Sequence, residues 1–341
     1  MARLLVLDFP EGYEFGIDWM AWQVGEKFAG VGNIPVGYHF IYWSAKEKHG
    51  SDCSIRSGKY LHIRSDTDVH VWTWDSDAET CAVLDHTESF QYRENAARGQ
   101  LDSGLGPYPE EHHQKWVALT THLNETTIER MTPVQHTVGS GTAWSGNSFY
   151  TKLPGRRPVL GPANNKDSSS DAPPLTPSEI TKYAFDRTQA LSEVLEQRRQ
   201  DAEHNTALSL EGAMLDLLGE LEYSFVAFVV GQSADGLEQW KKLVDMLCRC
   251  EDGMSGQAAP NHESIPPQFF EQFLHVLMAQ LMEVPEDFFS GSSELSNNNF
   301  LKPALSSFVQ LLSPEKGELL SELTMGRFAW DITTEEEDVM F

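Results

Sequence analysis

Cysteine, basic side chains and long apolar runs are all scarce in this chain. Its four cysteines, Cys53, Cys81, Cys248 and Cys250, cannot frame a disulfide-built fold of 341 residues. Cys248 and Cys250 stand one residue apart in a helical pattern, so their side chains diverge, whereas zinc sites draw on wider pairs and further ligands. Buried neutral thiols are the expectation. Lysine and arginine number 25 against 51 acids, a formal net charge of -26. A field of that sign repels phosphate backbones and speaks against direct nucleic-acid binding, yet it suits a basic protein surface that would otherwise hold RNA. No apolar run approaches the roughly 20 residues of a membrane span. The opening MARLLVLDFP is interrupted by Asp8 and Pro10 too soon for a signal peptide. The expectation is an intracellular chain with no membrane partner.

Sequence patterns for catalysis are missing as well. Gly25 to Gly30 has some of the glycine spacing of a phosphate loop but continues Val-Gly instead of Gly-Lys-Ser/Thr. Gly139-Ser140-Gly141 lacks the third glycine of a dinucleotide fingerprint, and no serine sits in a GxSxG elbow. His39, His62 and His70 fall on predicted strands and His112-His113 opens a predicted helix, without an HxH or HxxxE strand pattern that would gather a metal. Such histidines are ordinarily core or surface residues. Glu11, Glu14 and Asp18 flank aromatics but form no acid/base pair. The sequence therefore names no catalytic residue, no metal and no cofactor, and it reads as a non-enzyme.

What is present is a β-rich first half and a helical second half. Residues 9–43 are dense in glycine, Trp, Tyr and Phe, which calls for a tightly turning backbone. Apolar runs at 4–9 and 38–43, alternation at Leu61 and Ile63, and the series Val69, Val71, Trp72, Trp74 are separated by Gly, Pro, Ser and Asp clusters. They predict a β-sandwich domain over 1–132. Trp116, Leu119 and Leu123 add a helical stripe within it, and Asn124 or Thr126 starts another short turn. Residues 133–175, small and polar, read as a linker that proteases reach first. A capping box, Thr176-Pro177-Ser178-Glu179, opens the helical domain over 176–326. Helices are predicted at 214–230 with Gly231 as C-cap, at 237–250, 268–283 and 300–312, with a weaker one after Pro314. The tail, 327–341, carries Phe328 and Trp330 before an acidic run. It is placed to dock on a partner or back on its own domain.

Glu14-Phe15-Gly16-Ile17-Asp18, Trp22, Val24-Gly25, Phe28-Ala29-Gly30, Ile34-Pro35 and Gly37-Tyr38-His39-Phe40 resemble the N-terminal signature of the AAR-two family, assembly factors of the U5 small nuclear ribonucleoprotein. Leu105-Gly106-Pro107-Tyr108-Pro109, Lys115-Trp116, Gly219-Glu220-Leu221, Phe225-Val226-Ala227-Phe228, Glu238-Gln239-Trp240-Lys241-Lys242-Leu243, Pro285 to Phe289, Asn299-Phe300-Leu301 and Arg327-Phe328-Ala329-Trp330-Asp331 continue it in family order. The resemblance implies a two-domain α+β chain: an N-terminal β-sandwich with some helix, an all-helical VHS-like domain and an acidic C-terminal tail. It implies binding to the large U5 scaffold protein at its RNase H-like and Jab/MPN-like domains, in competition with the U5 RNA helicase, in cytoplasm and nucleus. In one relative the tail bridges those domains by strand addition. Candidate partner-binding residues are Phe15, Trp240, Phe328, Trp330 and Asp331. Candidate phosphorylation sites for release are Ser168, Ser169, Ser170, Thr176 and Ser313. The alternative is a VHS-like peptide-binding adaptor in membrane traffic, which needs an exposed basic groove from Lys241, Lys242 and Arg249. A small-molecule enzyme on the sandwich would need a polar pocket with perturbed groups.

Overall fold

The computed structural model describes residues 1–44, 55–133, 137–140, 186–200, 208–286, 288–289 and 299–333. The chain divides into two compact units, residues 1–149 with 222–237, and residues 150–221 with 238–341. The sandwich unit thus takes in sixteen residues of the helical half that a linear cut at 132 or 176 assigns elsewhere.

Two five-stranded sheets make the first unit. The strands are β1 (Ala2–Leu7), β2 (Glu14–Ile17), β3 (Met20–Gln23), β4 (Gly30–Ile34), β5 (Gly37–Ser44), β6 (Arg56–Ile63), β7 (Val69–Asp75), β8 (Thr80–Val83), β9 (Leu105–Pro107) and β10 (Val138–Gly139). One sheet runs β8-β7-β1-β4-β9, with β1 parallel to β7 and antiparallel to β4. The other, β10-β6-β5-β2-β3, is antiparallel throughout. Alternation places Leu4, Val6, Val31 and Trp72 of the first sheet against Phe15, Ile17, Ile41, Trp43, Leu61 and Ile63 of the second, in one buried cluster. Burial of these side chains is the main stabilising term.

Two glycines show why the 9–43 segment is so rich in that residue. Gly30 has φ +131°, and a Cβ there would lie 1.9 Å from the Leu4 carbonyl oxygen across the β1–β4 pair. Gly16 faces Tyr42 across β2–β5, and a Cβ would meet that ring at 2.1 Å.

Helix α1 (His86–Ala97) is an element the sequence reading passed over. It covers the outer face of the first sheet, where Ala96 joins Leu5 and Val71. Helix α2 (His113–Leu119) buries Trp116 and Leu119, and Leu123 is buried just beyond it. Helix α3 (Glu125–Met131) is capped by Asn124, whose side chain accepts from the Thr127 N–H at 2.9 Å. Strand β10 corrects the linker assignment, because Val138 and Gly139 pair with Gly58 and Ser57 of β6.

The remaining helices are α4 (Thr188–Gln200), α5 (Leu210–Val229), α6 (Ala234–Cys248), α7 (Glu251–Met254), α8 (Pro267–Leu281), α9 (Leu301–Leu311) and α10 (Pro314–Phe328). Four lie within a few residues of the sequence expectation, and the helix after Pro314 is full-length. The left-handed residue after α5 is Gln232, φ +55°, and not Gly231. The Thr176 capping box lies outside the described residues. Among the described residues no helix is long and apolar enough to cross a membrane.

Candidate functional site

The constellation most like reaction chemistry lies inside the sandwich. His39 Nδ1 is 2.7 Å from Asp18 Oδ2 and its Nε2 is 2.9 Å from the Pro35 carbonyl oxygen. Tyr108 donates its hydroxyl to the same carboxylate at 2.8 Å, and the Phe40 N–H donates to Asp18 Oδ1 at 2.9 Å. Both ring nitrogens face acceptors, and His39 and Asp18 are each 1% exposed. A group with its hydrogen-bonding capacity filled and no access to solvent has nothing to offer a substrate. Burial and the neighbouring carboxylate push the Tyr108 hydroxyl far above its usual pKa, so it stays a donor. This cluster ties the β2–β3 turn to β5 and to the approach to α2.

A second buried pair joins residues far apart in sequence but within the same unit. Glu222, with no exposed surface, accepts from the His122 backbone N–H at 2.7 Å and faces His122 Nδ1 at 2.9 Å. Burial raises its carboxyl pKa, and the bonds from His122 pull against that. Tyr223 beside it stacks on Tyr60 with ring centroids 5.0 Å apart. Residues 222–237 are held to the sandwich by such contacts.

Among the five candidate binding residues, two are relocated by the structure. Phe15 and Trp240 are both fully buried, Phe15 in the sandwich core and Trp240 with its Nε1–H donated to Gln280 Oε1 at 2.8 Å. Neither has surface for a partner; their sequence neighbourhoods show aromatic density but not burial. The other three come together at the end of α10. Ala329 adopts the left-handed conformation, φ +55°, and ends the helix. The chain then folds back, so that Trp330 stacks on Phe328 at 4.7 Å and tilts against Phe289 at 5.2 Å. Phe289 in turn meets Phe300 at 6.0 Å, and Phe300 meets Trp240 at 5.7 Å. Ile332 is fully buried, Asp331 is exposed and accepts from the Thr333 N–H at 2.9 Å, and Thr333 accepts from Gln310 Nε2 at 3.1 Å. Arg327 fixes the exit by donating to the Val284 carbonyl at 2.8 Å.

This half-exposed aromatic hook is the candidate recognition site. Phe289, Ile332 and Arg327 belong to it although sequence reasoning gave them no role. The signal was there in the Phe288-Phe289 pair and in the apolar Ile332 after an aromatic doublet. Ser313 is exposed and precedes α10 without a side-chain cap bond. Ser168, Ser169, Ser170 and Thr176 lie outside the described residues.

The cations that an adaptor groove would need are engaged. Lys241 lies 3.8 Å from Glu238 and 5.4 Å from the Phe300 ring centre, and Arg249 Nε is 3.0 Å from Asp245. Among the described residues no cluster of three or more His, Cys, Asp or Glu side chains is placed to hold a metal ion.

Sheet topology, helical second half and aromatic hook define a two-unit α+β protein whose candidate site is a recognition surface. Residues 1–133 match the AAR2 N-terminal domain and residues 164–333 the AAR2 C-terminal repeat region. The mouse and human proteins called "Protein AAR2 homolog" are each 30% identical to it, covering 99% of this chain and 91% of theirs. The Caenorhabditis elegans protein of the same name is 28% identical over 89% of this chain and 85% of its own. The chain belongs to the AAR2 family.

Proposed function

We propose that this chain serves pre-mRNA splicing as a non-enzymatic assembly factor of the U5 small nuclear ribonucleoprotein. In this reading it binds the large U5 scaffold protein at its RNase H-like and Jab/MPN-like domains, in cytoplasm and nucleus. While bound, it keeps the U5 RNA helicase and RNA off until maturation. The observation that carries the reading is family membership across both halves of the chain. Two physical features support it. A net charge of -26 favours a basic partner surface through charge complementarity. The hook at Phe328 and Trp330 offers half-exposed aromatic anchors, the residue type that dominates interface energetics. Release by phosphorylation, with Ser313 as the exposed candidate among the described residues, is part of the same proposal.

The test is affinity capture of the full chain from nuclear and cytoplasmic extract with quantitative mass spectrometry. The expected result is enrichment of the U5 scaffold protein with the helicase depleted, weakening as salt rises. Capture of intact particles including the helicase, or no scaffold at all, would overturn it.

A further inference from the structure

Independently of that reading, helices α8 and α10 of the second unit leave an apolar groove between them. The two run side by side in the same direction. Near their starts Lys316 of α10 bonds Glu271 of α8 at 2.6 Å, and at the far end Arg327 donates to the Val284 carbonyl, just past α8, at 2.8 Å. On α8 the stripe that begins at Glu271 continues through His275, Met278 and Met282, whose backbone is still helical. On α10 the stripe from Lys316 to Arg327 holds Leu319 and Leu323. Residues three or four apart share a helix face, so each stripe keeps its line over eleven residues, about 16 Å. Met282 is 49% and Leu319 51% exposed, with Met278 and Leu323 half-buried beside them. A continuous line of methionine and leucine open to water marks a binding surface, and methionine adapts its shape to what lies on it.

We propose that this groove takes an amphipathic helix of another protein, apolar on one face and lined with lysine or arginine along one flank. Its shape selects a helix: two parallel walls about three turns long are the geometry of helix-in-groove recognition. Its charge selects the flank. The outer rim of α10 carries Glu315, Glu318 and Glu322, all exposed and in no ion pair among the described residues. The two cations of α10, Lys316 and Arg327, turn the other way and pair with Glu271 and Glu286. The outer rim of α8 carries the uncharged Gln268 and Gln272. One acidic rim opposite one neutral rim fixes which flank of the bound helix is basic. A second copy of this chain, with its net charge of -26, or an anionic membrane would bring like charge to that rim.

The test is fluorescence anisotropy of the full chain with a labelled helical peptide of about 15 residues, leucines at i, i+3 and i+7 and lysines along one flank. Expected is saturable binding that weakens as salt rises. Affinity should fall about tenfold in Leu319→Asp and likewise in Met282→Asp, half-exposed positions where a carboxylate is tolerated by the free protein. Glu318→Lys with Glu322→Lys should invert the preference, so that the same peptide with glutamates in place of lysines becomes the tighter binder. No saturable binding, equal binding of a peptide with the same composition and its leucines scattered, or affinity unchanged by all of these substitutions would each overturn the proposal. So would self-association in sedimentation, or binding to phosphatidylserine vesicles, that Leu319→Asp abolishes, since either assigns the groove to another occupant. Capture of the U5 scaffold is read in a separate assay, so either idea can fail alone.

Discussion

Replacing Arg198 by methionine tests how the second unit tolerates charge in its interior. Arg198 on α4 is 8% exposed and pairs with Asp216 and Glu220 on α5, of which Glu220 has no exposed surface. Gln239 also donates to Glu220, at 2.7 Å. A neutral amide cannot replace a guanidinium, so Arg198→Met leaves a fully buried carboxylate without its cation. Breaking a buried pair from one side costs about 3–5 kcal/mol, because the abandoned charge loses compensation but stays desolvated. For a unit of this size each kcal/mol moves Tm by about 2–4 °C, which gives a fall of about 6–20 °C. Scanning calorimetry of the full chain reads it directly. Arg198→Met with Glu220→Gln should regain much of the loss, since the second change removes the stranded charge. A single variant melting within about 2 °C of the parent would refute the reasoning.

Gly30→Ala should destabilise the sandwich by at least ~3 kcal/mol, from a positive φ plus a clash with backbone, whereas Gly25→Ala, with open space around it, should stay within about 0.5 kcal/mol; urea unfolding separates them. Burial lowers the pKa of His62, His70 and His113 below the usual 6.5. Below that pH the unfolded chain binds more protons than the folded one, so Tm should drop as pH falls from 7 to 5.5, and His70→Asn should flatten the slope. A Tm that rises on acidification would contradict this. Burial pushes the thiol of Cys81 up to about 12 and those of Cys248 and Cys250 well above their usual value. Site-mapped alkylation at pH 8 should label these three only on the timescale of unfolding, and rapid labelling of any of them in the native protein would refute it.

Strands β1, β5, β6 and β7 and most helices were legible because their periodicity is local, whereas the short strands β2, β3, β4, β8, β9 and β10 carry too few residues to show one. Leu61 and Ile63 alternate, and Phe270, Phe273, Leu274, Leu277 and Leu281 repeat at helical spacing. Helix α1 was not, since HTESFQYRENAA has no apolar stripe and Phe90 and Tyr92 face solvent. The readable trace was Asp85 three residues before Glu88, whose N–H it accepts at 2.8 Å. The relocation of Phe15 and Trp240 to the cores has a plain cause: an aromatic that anchors a core and one that anchors a partner have the same local sequence, and only tertiary packing tells them apart. The hook was half legible. Its aromatics stand out in sequence, but the left-handed Ala329 that folds them back does not, because alanine rarely takes that conformation.

The union of residues 1–149 with 222–237 sets the order of events during synthesis. When Phe149 leaves the ribosome, Tyr60 of β6 has the Phe40 ring beside it but not yet Tyr223, and the segment at His122 still lacks the Glu222 carboxylate. The chain must grow by about 90 further residues before Glu222–Leu237 arrive. At about 5–20 residues per second that is a wait of roughly 4–18 s. During it the nascent sandwich shows an unfinished face to whatever chaperone attends the tunnel exit. A fragment stopped at residue 133, the end of the N-terminal family match, keeps that face permanently.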